Sequence, residues 1–215
     1  MSEGFFSRTV RPPISTLSVA GGLALLCLTQ VSTACMPSDA PLPEKAESSA
    51  PVCERTKEMP SELRMKQYRG ITPECVPKGQ TLDIPGLQQL LATEDPVLID
   101  VWAIVRSVDD DFGSMWLPNE EHYSLPGAIW LPNVGYGKVK PDIEQYLQDN
   151  LQRLTQGNKH KPLVFFCVMD CWMSWNAVQR VVDYGYTRVY WYRDGTDSWN
   201  EAGLPLVEVQ PVELK

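Results

Sequence analysis

Residues 162–177 read Pro-Leu-Val-Phe-Phe-Cys-Val-Met-Asp-Cys-Trp-Met-Ser-Trp-Asn-Ala, and this stretch decides the fold. The apolar run 163–166 predicts a buried strand, and the residues that follow predict a helix over 174–184 with Ser174 as its N-cap. A strand joined to a helix in this way is typical of a parallel sheet, whose ligand sites lie beyond the carboxyl ends of the strands. The sequence therefore predicts that Cys167 lies at the ligand end of such a sheet.

The same alternation of short apolar runs and helical stripes continues through the rest of the chain. Strands that are apolar throughout and alternate with helices indicate an α/β fold with a mainly parallel sheet flanked by helices. The long connection at 115–123 is interpreted as a lid or a partner-binding loop. The other predicted elements are strands at 97–101, 127–131 and 188–192 and helices at 84–93, 142–155 and 197–202.

Composition narrows the class of protein. The hydrophobic fraction of 43% and the seven tryptophans are sufficient for the core of one sizeable domain. A net charge of -8 leaves no basic face to neutralise phosphates, which argues against a nucleic-acid partner.

The N-terminus resembles a secretory signal. Arg8 and Arg11 precede an apolar run at 17–28, and small residues follow up to Cys35. The segment before Cys35 also resembles a lipobox, so lipidation of Cys35 and plain cleavage both stay open. We therefore predict a signal peptide at 1–34, a polar disordered tether at 35–66 and a folded domain at 67–210. We also predict that the protein is periplasmic or is tethered to the outer membrane by lipid at Cys35.

Export affects the interpretation of the remaining cysteines. Disulfides persist in an oxidising compartment, where Cys53, Cys75, Cys167 and Cys171 would be found. Four cysteines allow three pairings, and sequence does not choose between them. The candidates are Cys53–Cys75, which would pin one polar segment, and Cys167–Cys171.

The expected chemistry centres on Cys167. A thiol at a helix N-terminus is favoured as thiolate, although Asp170 places negative charge in the same loop. Cys171 is close enough to resolve a mixed disulfide formed at Cys167. A weaker alternative is Cu(I), for which Cys167, Cys171 and Met169 are suitably soft ligands.

Tryptophans around this loop form a candidate aromatic wall, in which Trp172 and Trp175 would line a pocket for a planar ligand. Asp100, at a predicted strand end, is either a polar site residue or a partner for loop backbone. The candidate pocket residues are Asp100, Trp102, Val168, Met169, Asp170, Trp172, Met173, Ser174, Trp175 and Asn176.

The order of elements resembles the rhodanese fold, a three-layer α/β fold. Residues 98–102 (LIDVW) resemble its Asp-Val-Arg strand, 124–128 (SLPGA) its His-Ile-Pro-Gly-Ala segment, and Cys167 stands where the family carries its persulfide cysteine. Residues 171–177 (CWMSWNA) resemble a narrower group, the exported rhodanese-like proteins with a Cys/Cys-Trp motif that are associated with alcohol catabolism dependent on pyrroloquinoline quinone (PQQ).

That resemblance implies a reactive Cys167/Cys171 pair engaged in thiol redox or sulfur transfer. It also implies a PQQ-related or other redox cofactor, and a periplasmic PQQ-dependent alcohol dehydrogenase or its cytochrome system as partner. The alternative is a non-enzymatic binder of a quinone, of Cu(I) or of the dehydrogenase, with the cysteines as ligands or as a structural disulfide.

The departures from the family pattern argue against ordinary thiosulfate sulfurtransferase activity. Trp172 replaces the arginine that usually closes the rhodanese loop, Trp102 replaces the strand arginine, and Ser124 replaces the histidine. Thiosulfate is a dianion, and this loop offers it Asp170 in place of a guanidinium.

Overall fold

The computed structural model describes residues 53–57, 59–109 and 113–214. The predicted signal peptide, Cys35 and most of the predicted tether lie outside these residues. In the part of the chain that is described, no helix is long and apolar enough to cross a membrane.

Nine strands and four helices form the described fold. In chain order they are β1 Gln80–Leu82, α1 Ile84–Thr93, β2 Val97–Asp100, β3 Val105–Asp109, β4 Gly113–Leu117, β5 His122–Ser124, β6 Ile129–Trp130, α2 Pro141–Thr155, β7 Leu163–Phe166, α3 Trp172–Asp183, β8 Val189–Tyr192, α4 Gly195–Glu201 and β9 Val207–Val209.

The central sheet is parallel throughout, with five strands in the order β1-β8-β7-β2-β6. Strand β7 lies in the middle, where all four of its residues are buried. Alternate residues of a strand face opposite sides of the sheet. Leu163 and Phe165 accordingly pack in one cluster with α2 and α3, and Val164 and Phe166 pack in the other with α1 and α4. The predicted α/β class, with helices on both faces of a parallel sheet, is confirmed.

Two antiparallel pairs extend the fold beyond the sheet. β3 pairs with β4, and β5 pairs with β9 from the C-terminal end. Part of the connection predicted at 115–123 is therefore strand, since Met115 lies in β4 and Tyr123 in β5.

Helix α3 begins earlier than predicted. Its N-cap is Cys171, whereas the predicted cap, Ser174, lies inside the first turn. The Ser174 hydroxyl donates to the Cys171 carbonyl and accepts from Trp191 Nε1. Because this hydroxyl is already engaged with β8 and with the preceding turn, it does not cap the helix.

The described residues before Gln67 have no helix or strand of their own, but they pack on the domain. A disulfide joins Cys53 to Cys75 with the Cα atoms 5.7 Å apart. Arg64 N donates to Asn176 Oδ1 at 2.8 Å, and Asn176 Nδ2 donates back to the Arg64 carbonyl at 2.9 Å. The C-terminal part of the predicted tether is thus held against α3.

Candidate functional site

The two cysteines of the central loop lie in contact. Cys167 follows β7 directly, Cys171 caps α3, and their Sγ atoms are 2.6 Å apart. Each residue is only 1% exposed. Both are free thiols at a separation from which a small movement would form a disulfide.

The surroundings of the two thiols make Cys171 the more acidic one. The hydrogen bond from Cys167 lowers the pKa of Cys171, and the Met173 and Ser174 N–H groups and the charge of Arg69 lower it further, against the effect of burial. Burial raises the pKa of Cys167 well above its usual value, and Cys171 and Asp100 act in the same direction. The lower thiol pKa therefore belongs to Cys171 and not, as predicted, to Cys167, which donates a hydrogen bond to the Cys171 sulfur.

Residues 68–72, here called the strap, lie against the cysteine loop. Gly70 N donates to the Asp170 carbonyl at 3.0 Å, Thr72 N donates to Asp170 Oδ1 at 3.2 Å, and Trp172 N donates to the Tyr68 carbonyl at 2.9 Å. The backbones of Arg69 and Cys171 form an isolated antiparallel β-bridge. Asp170 adopts a left-handed conformation with φ of 56°, and both its carbonyl and its carboxylate face the strap. Sequence analysis gave no indication of this contact.

Val168 and Met169, the other two predicted pocket residues of the cysteine loop, also contact other parts of the domain. Met169 N donates to Asp197 Oδ2 at 3.0 Å, and Val168 is partly buried beside the core. The Cys167 carbonyl accepts from Thr196 N at 2.9 Å. The loop is consequently fixed on one side by the start of α4 and on the other by the strap.

Asp100 contacts loop backbone, one of the two alternatives that sequence left open, and it also contacts two side chains of β5. The carboxylate is fully buried at the end of β2, and its Oδ1 accepts from Trp102 N at 2.9 Å. Its Oδ2 accepts from Ser124 Oγ at 2.7 Å and lies 2.8 Å from His122 Nε2. Asp100 therefore orders the loop after β2 and also positions an imidazole.

His122 was missed by the sequence analysis. It lies on β5 two residues before Ser124, and residues two apart on a strand share a face. Since Ser124 had been matched to a family motif, this spacing would have placed His122 on the same side as Ser124, facing Asp100.

The predicted residues at the start of α3 are buried and pack within the domain, and Trp172 also lines a cavity. Trp175 is fully buried, and its Nε1 donates to the Cys75 carbonyl at 3.2 Å. Trp172 packs edge-on against Trp175 and borders a cavity near Cys75. Met173 is buried in the same cluster, and Asn176 Nδ2 ties α3 to the Gly135 carbonyl at 2.9 Å.

An aromatic cavity lies instead at the ends of β2 and β6. Its volume is about 400 Å³, and Trp102 is the one predicted pocket residue among those that line it. The lining residues are Trp102, Ala103, Ile104, Val105, Asn119, Glu120, Glu121, His122, Trp130 and Tyr136. A larger cavity of about 620 Å³ runs along α2 and contains neither cysteine.

Arg69 lies near a residue of the cavity wall and also acts on Cys171. Its guanidinium lies 5.7 Å from the Trp102 ring centroid, and its charge lowers the pKa of Cys171. On the same side, the ring of Tyr136 packs against Tyr68 of the strap with centroids 5.1 Å apart. The strap therefore contacts both the cysteine loop and the cavity wall.

No cluster of three or more His, Cys, Asp or Glu side chains within 53–57, 59–109 and 113–214 is arranged to hold a metal ion. Cys167 and Cys171 lie together, whereas Met169 is held through its backbone by Asp197. The Cu(I) hypothesis stays a prediction.

Residues 85–202 match the family model described as a rhodanese-like domain. This match spans more than half of the 215 residues.

One curated protein and two solved structures illustrate the similarity. The thiosulfate sulfurtransferase GlpE of Glaesserella parasuis is 26% identical over 118 residues, covering 55% of this chain and 83% of that protein. A thiosulfate sulfurtransferase from Pseudomonas aeruginosa is 21% identical with a TM-score of 0.43, and the match covers 62% of this chain but only 21% of that one. A polysulfide-sulfur transferase homodimer from Wolinella succinogenes is 22% identical with a TM-score of 0.39, covering 60% of this chain and 79% of that one.

Proposed function

Because this chain belongs to the rhodanese-like domain family, we propose that it is an exported accessory protein of PQQ-dependent alcohol catabolism that works by thiol redox chemistry. The observation that carries the chemical part is the 2.6 Å contact between Cys167 Sγ and Cys171 Sγ at the end of β7. The signal-like N-terminus supports export, and the resemblance of residues 171–177 to the Cys/Cys-Trp group supports the pathway.

The proposed reaction reduces a disulfide of another molecule. The Cys171 thiolate attacks one sulfur of the substrate disulfide, which forms a mixed disulfide and releases the first thiolate. Cys167 then attacks Cys171 Sγ, which forms the internal disulfide and releases the second thiolate. The two cysteines lose two electrons and two protons, and the products are two thiols; a dithiol reductant returns the pair to its starting state.

The geometry favours this cycle over storage of a transferable sulfur atom. A persulfide on Cys171 would lie beside the Cys167 thiol, and reacting groups held at contact distance have very high effective concentrations. Attack by Cys167 on Cys171 Sγ would release sulfide and give the same internal disulfide. A sulfur atom accepted from a donor would therefore be reduced to sulfide instead of being passed on.

PQQ does not fit the aromatic cavity as a ligand. The quinone carries several carboxylates, and the lining of this cavity contains Glu120 and Glu121 but, among the described residues, no Lys or Arg. We therefore attach the protein to the pathway through a partner, the periplasmic alcohol dehydrogenase or its cytochrome system, and derive no step through the quinone.

Intact-mass measurement tests the chemistry. The reduced protein is treated with one equivalent of a small aromatic disulfide and, separately, of polysulfide. Wild type is expected to lose two hydrogens in both cases, with Cys167 and Cys171 in one cross-linked peptide. The Cys167→Ser variant is expected to keep a mixed disulfide in the first case and one extra sulfur atom in the second. A persulfide that persists on wild type would refute the redox cycle.

Growth of the host on a short alcohol tests the pathway. A chromosomal Cys171→Ser substitution is expected to slow growth on the alcohol but not on an organic acid. The control is Glu201→Gln, a substitution of an exposed residue at the end of α4, which should grow like wild type on both. Equal growth of the cysteine variant and the control on the alcohol would reject the assignment to this pathway and would leave the mass experiment unaffected.

A further inference from the structure

The aromatic cavity has well-defined walls. The rings of Trp102 and His122 are nearly parallel, with an angle of 11° between their planes, and the Trp130 ring packs against His122 with centroids 4.2 Å apart. The cavity volume of about 400 Å³ falls within the range of small-molecule sites. Aromatic side chains thus line a space large enough for a small ligand, with His122 and Trp130 packed against each other in its wall.

These rings are held in place before any ligand arrives. The Asp100 carboxylate holds the His122 imidazole, and Trp130 Nε1 donates to the Trp102 carbonyl at 2.8 Å. Trp130 is 2% exposed, so its ring is fixed by the core on one side. A site that does not need to be ordered on binding loses less affinity to conformational entropy.

The charges around the cavity favour a cation. Glu120 and Glu121 line it with exposed carboxylates, and the buried Asp100 carboxylate lies behind His122. Arg69, over the Trp102 ring, is the opposing positive charge contributed by the strap. Aromatic faces carry negative electrostatic potential, so the rings and the two carboxylates act in the same direction.

We propose that this cavity binds a small organic cation with a methylated ammonium head. Methyl groups make the head compatible with aromatic walls, while its charge is attracted by the ring faces and by the rim carboxylates of Glu120 and Glu121. The site is separate from the thiol pair, since neither Cys167 nor Cys171 lines the cavity, and the inference goes beyond the proposed redox function.

Titration with choline tests the site, and 3,3-dimethyl-1-butanol, which replaces the nitrogen by carbon, is the matched neutral probe. The full-length reduced protein is titrated with each compound by calorimetry, with tryptophan fluorescence as a second signal. Choline is expected to bind saturably and at least about tenfold more tightly than the neutral probe. No saturable binding of choline, or equal affinities for the two compounds, would overturn the proposal.

Variants of the lining residues test whether choline binds in the aromatic cavity. The pair Glu120→Gln/Glu121→Gln removes charge from exposed positions and is expected to weaken choline binding severalfold, with a larger effect at low salt. Glu201→Gln, which removes an exposed carboxylate on α4, is the matched control and should bind like wild type. Unchanged affinity in the Gln pair would overturn the assignment of the site.

Substitutions of Trp102 test whether the affinity for choline comes from an aromatic ring or from general apolar packing. Trp102→Phe keeps a ring and should retain most of the affinity, whereas Trp102→Leu should lose about tenfold. Near-ultraviolet circular dichroism checks that each variant is folded. Because Glu120 and Glu121 are exposed, the Gln pair still decides the question if a Trp102 variant proves unstable.

Discussion

Removal of the Cys53–Cys75 disulfide should destabilise the protein strongly. The bridge joins residues 22 positions apart, and opening a loop of this length in the unfolded chain corresponds to about 3 kcal/mol of lost stability at 25 °C on the chain-entropy model. For a chain of this size the melting temperature should fall by about 6–12 °C. The variant Cys53→Ser/Cys75→Ser makes this change without adding a free thiol.

The same variant should also expose the central thiols. The strap lies inside the disulfide loop and pairs with Asp170, Cys171 and Trp172. Without the bridge, the segment before the strap keeps its hydrogen bonds from Arg55 to Gln179 and between Arg64 and Asn176, so the native fold should persist. Opening of the strap should nevertheless become more frequent, because the disulfide that closes the loop containing the strap is gone.

Two measurements check this pair of expectations. Urea unfolding gives the free energy of unfolding, and trapping with a maleimide under native conditions gives the rate at which Cys171 becomes accessible. Wild type under reductant strong enough to open Cys53–Cys75 is the control and should behave like the variant. A stability loss below about 1 kcal/mol would refute the loop argument, and an unchanged trapping rate would refute the role of the strap.

Three further predictions concern the charge and shape of the site. The pH midpoint for alkylation of Cys171 should be lower in Cys167→Ser than in Cys167→Ala, because the serine hydroxyl still donates to the thiolate; equal midpoints would contradict the proposed donor. Arg69→Gln should raise that midpoint, by less at high salt than at low salt, and a lower midpoint would exclude Arg69 as a thiolate-stabilising charge. Gly195→Ala should cost about 2–4 kcal/mol in urea unfolding, since Gly195 has φ of 56° and an added Cβ would press into the Cys167 carbonyl. The control Gly203→Ala, with φ of 71° and open space, should cost about 1–2 kcal/mol, and equal losses would refute the contact argument.

The sheet and its main helices could be predicted from sequence because their signals are local. The buried strands are continuous apolar runs, and the helices carry apolar stripes with a helical period. The predicted bounds 84–93 and 163–166 coincide with α1 and β7. The short strands β1, β5 and β9 were not predicted, because each depends on a partner distant in sequence and carries little pattern of its own.

The site could be predicted only in part, for the same physical reason. Cys167 and Cys171 were placed together by the strand–loop–helix pattern, since a loop of five residues between β7 and α3 keeps its ends close. Which thiol is more acidic depends on side-chain burial and on Arg69, which comes from a segment far away in sequence. Propensities and spacings do not contain this information.

The strap brings a positive charge to a loop in which Trp172 stands where the family pattern has an arginine. Arg69 on the strap supplies a positive charge that lowers the pKa of Cys171, in addition to the Cys167 hydrogen bond and the Met173 and Ser174 N–H groups. In the aromatic cavity, the charges of Glu120 and Glu121 are unfavourable to anions such as thiosulfate. For the proposed reaction, the formal net charge of -8 and the carboxylates of Glu120 and Glu121 favour a neutral or cationic disulfide over an anionic one. The reactivity of the pair should therefore follow the charge of the substrate disulfide, with a cationic one reduced faster than its anionic analogue and the difference shrinking as salt is added.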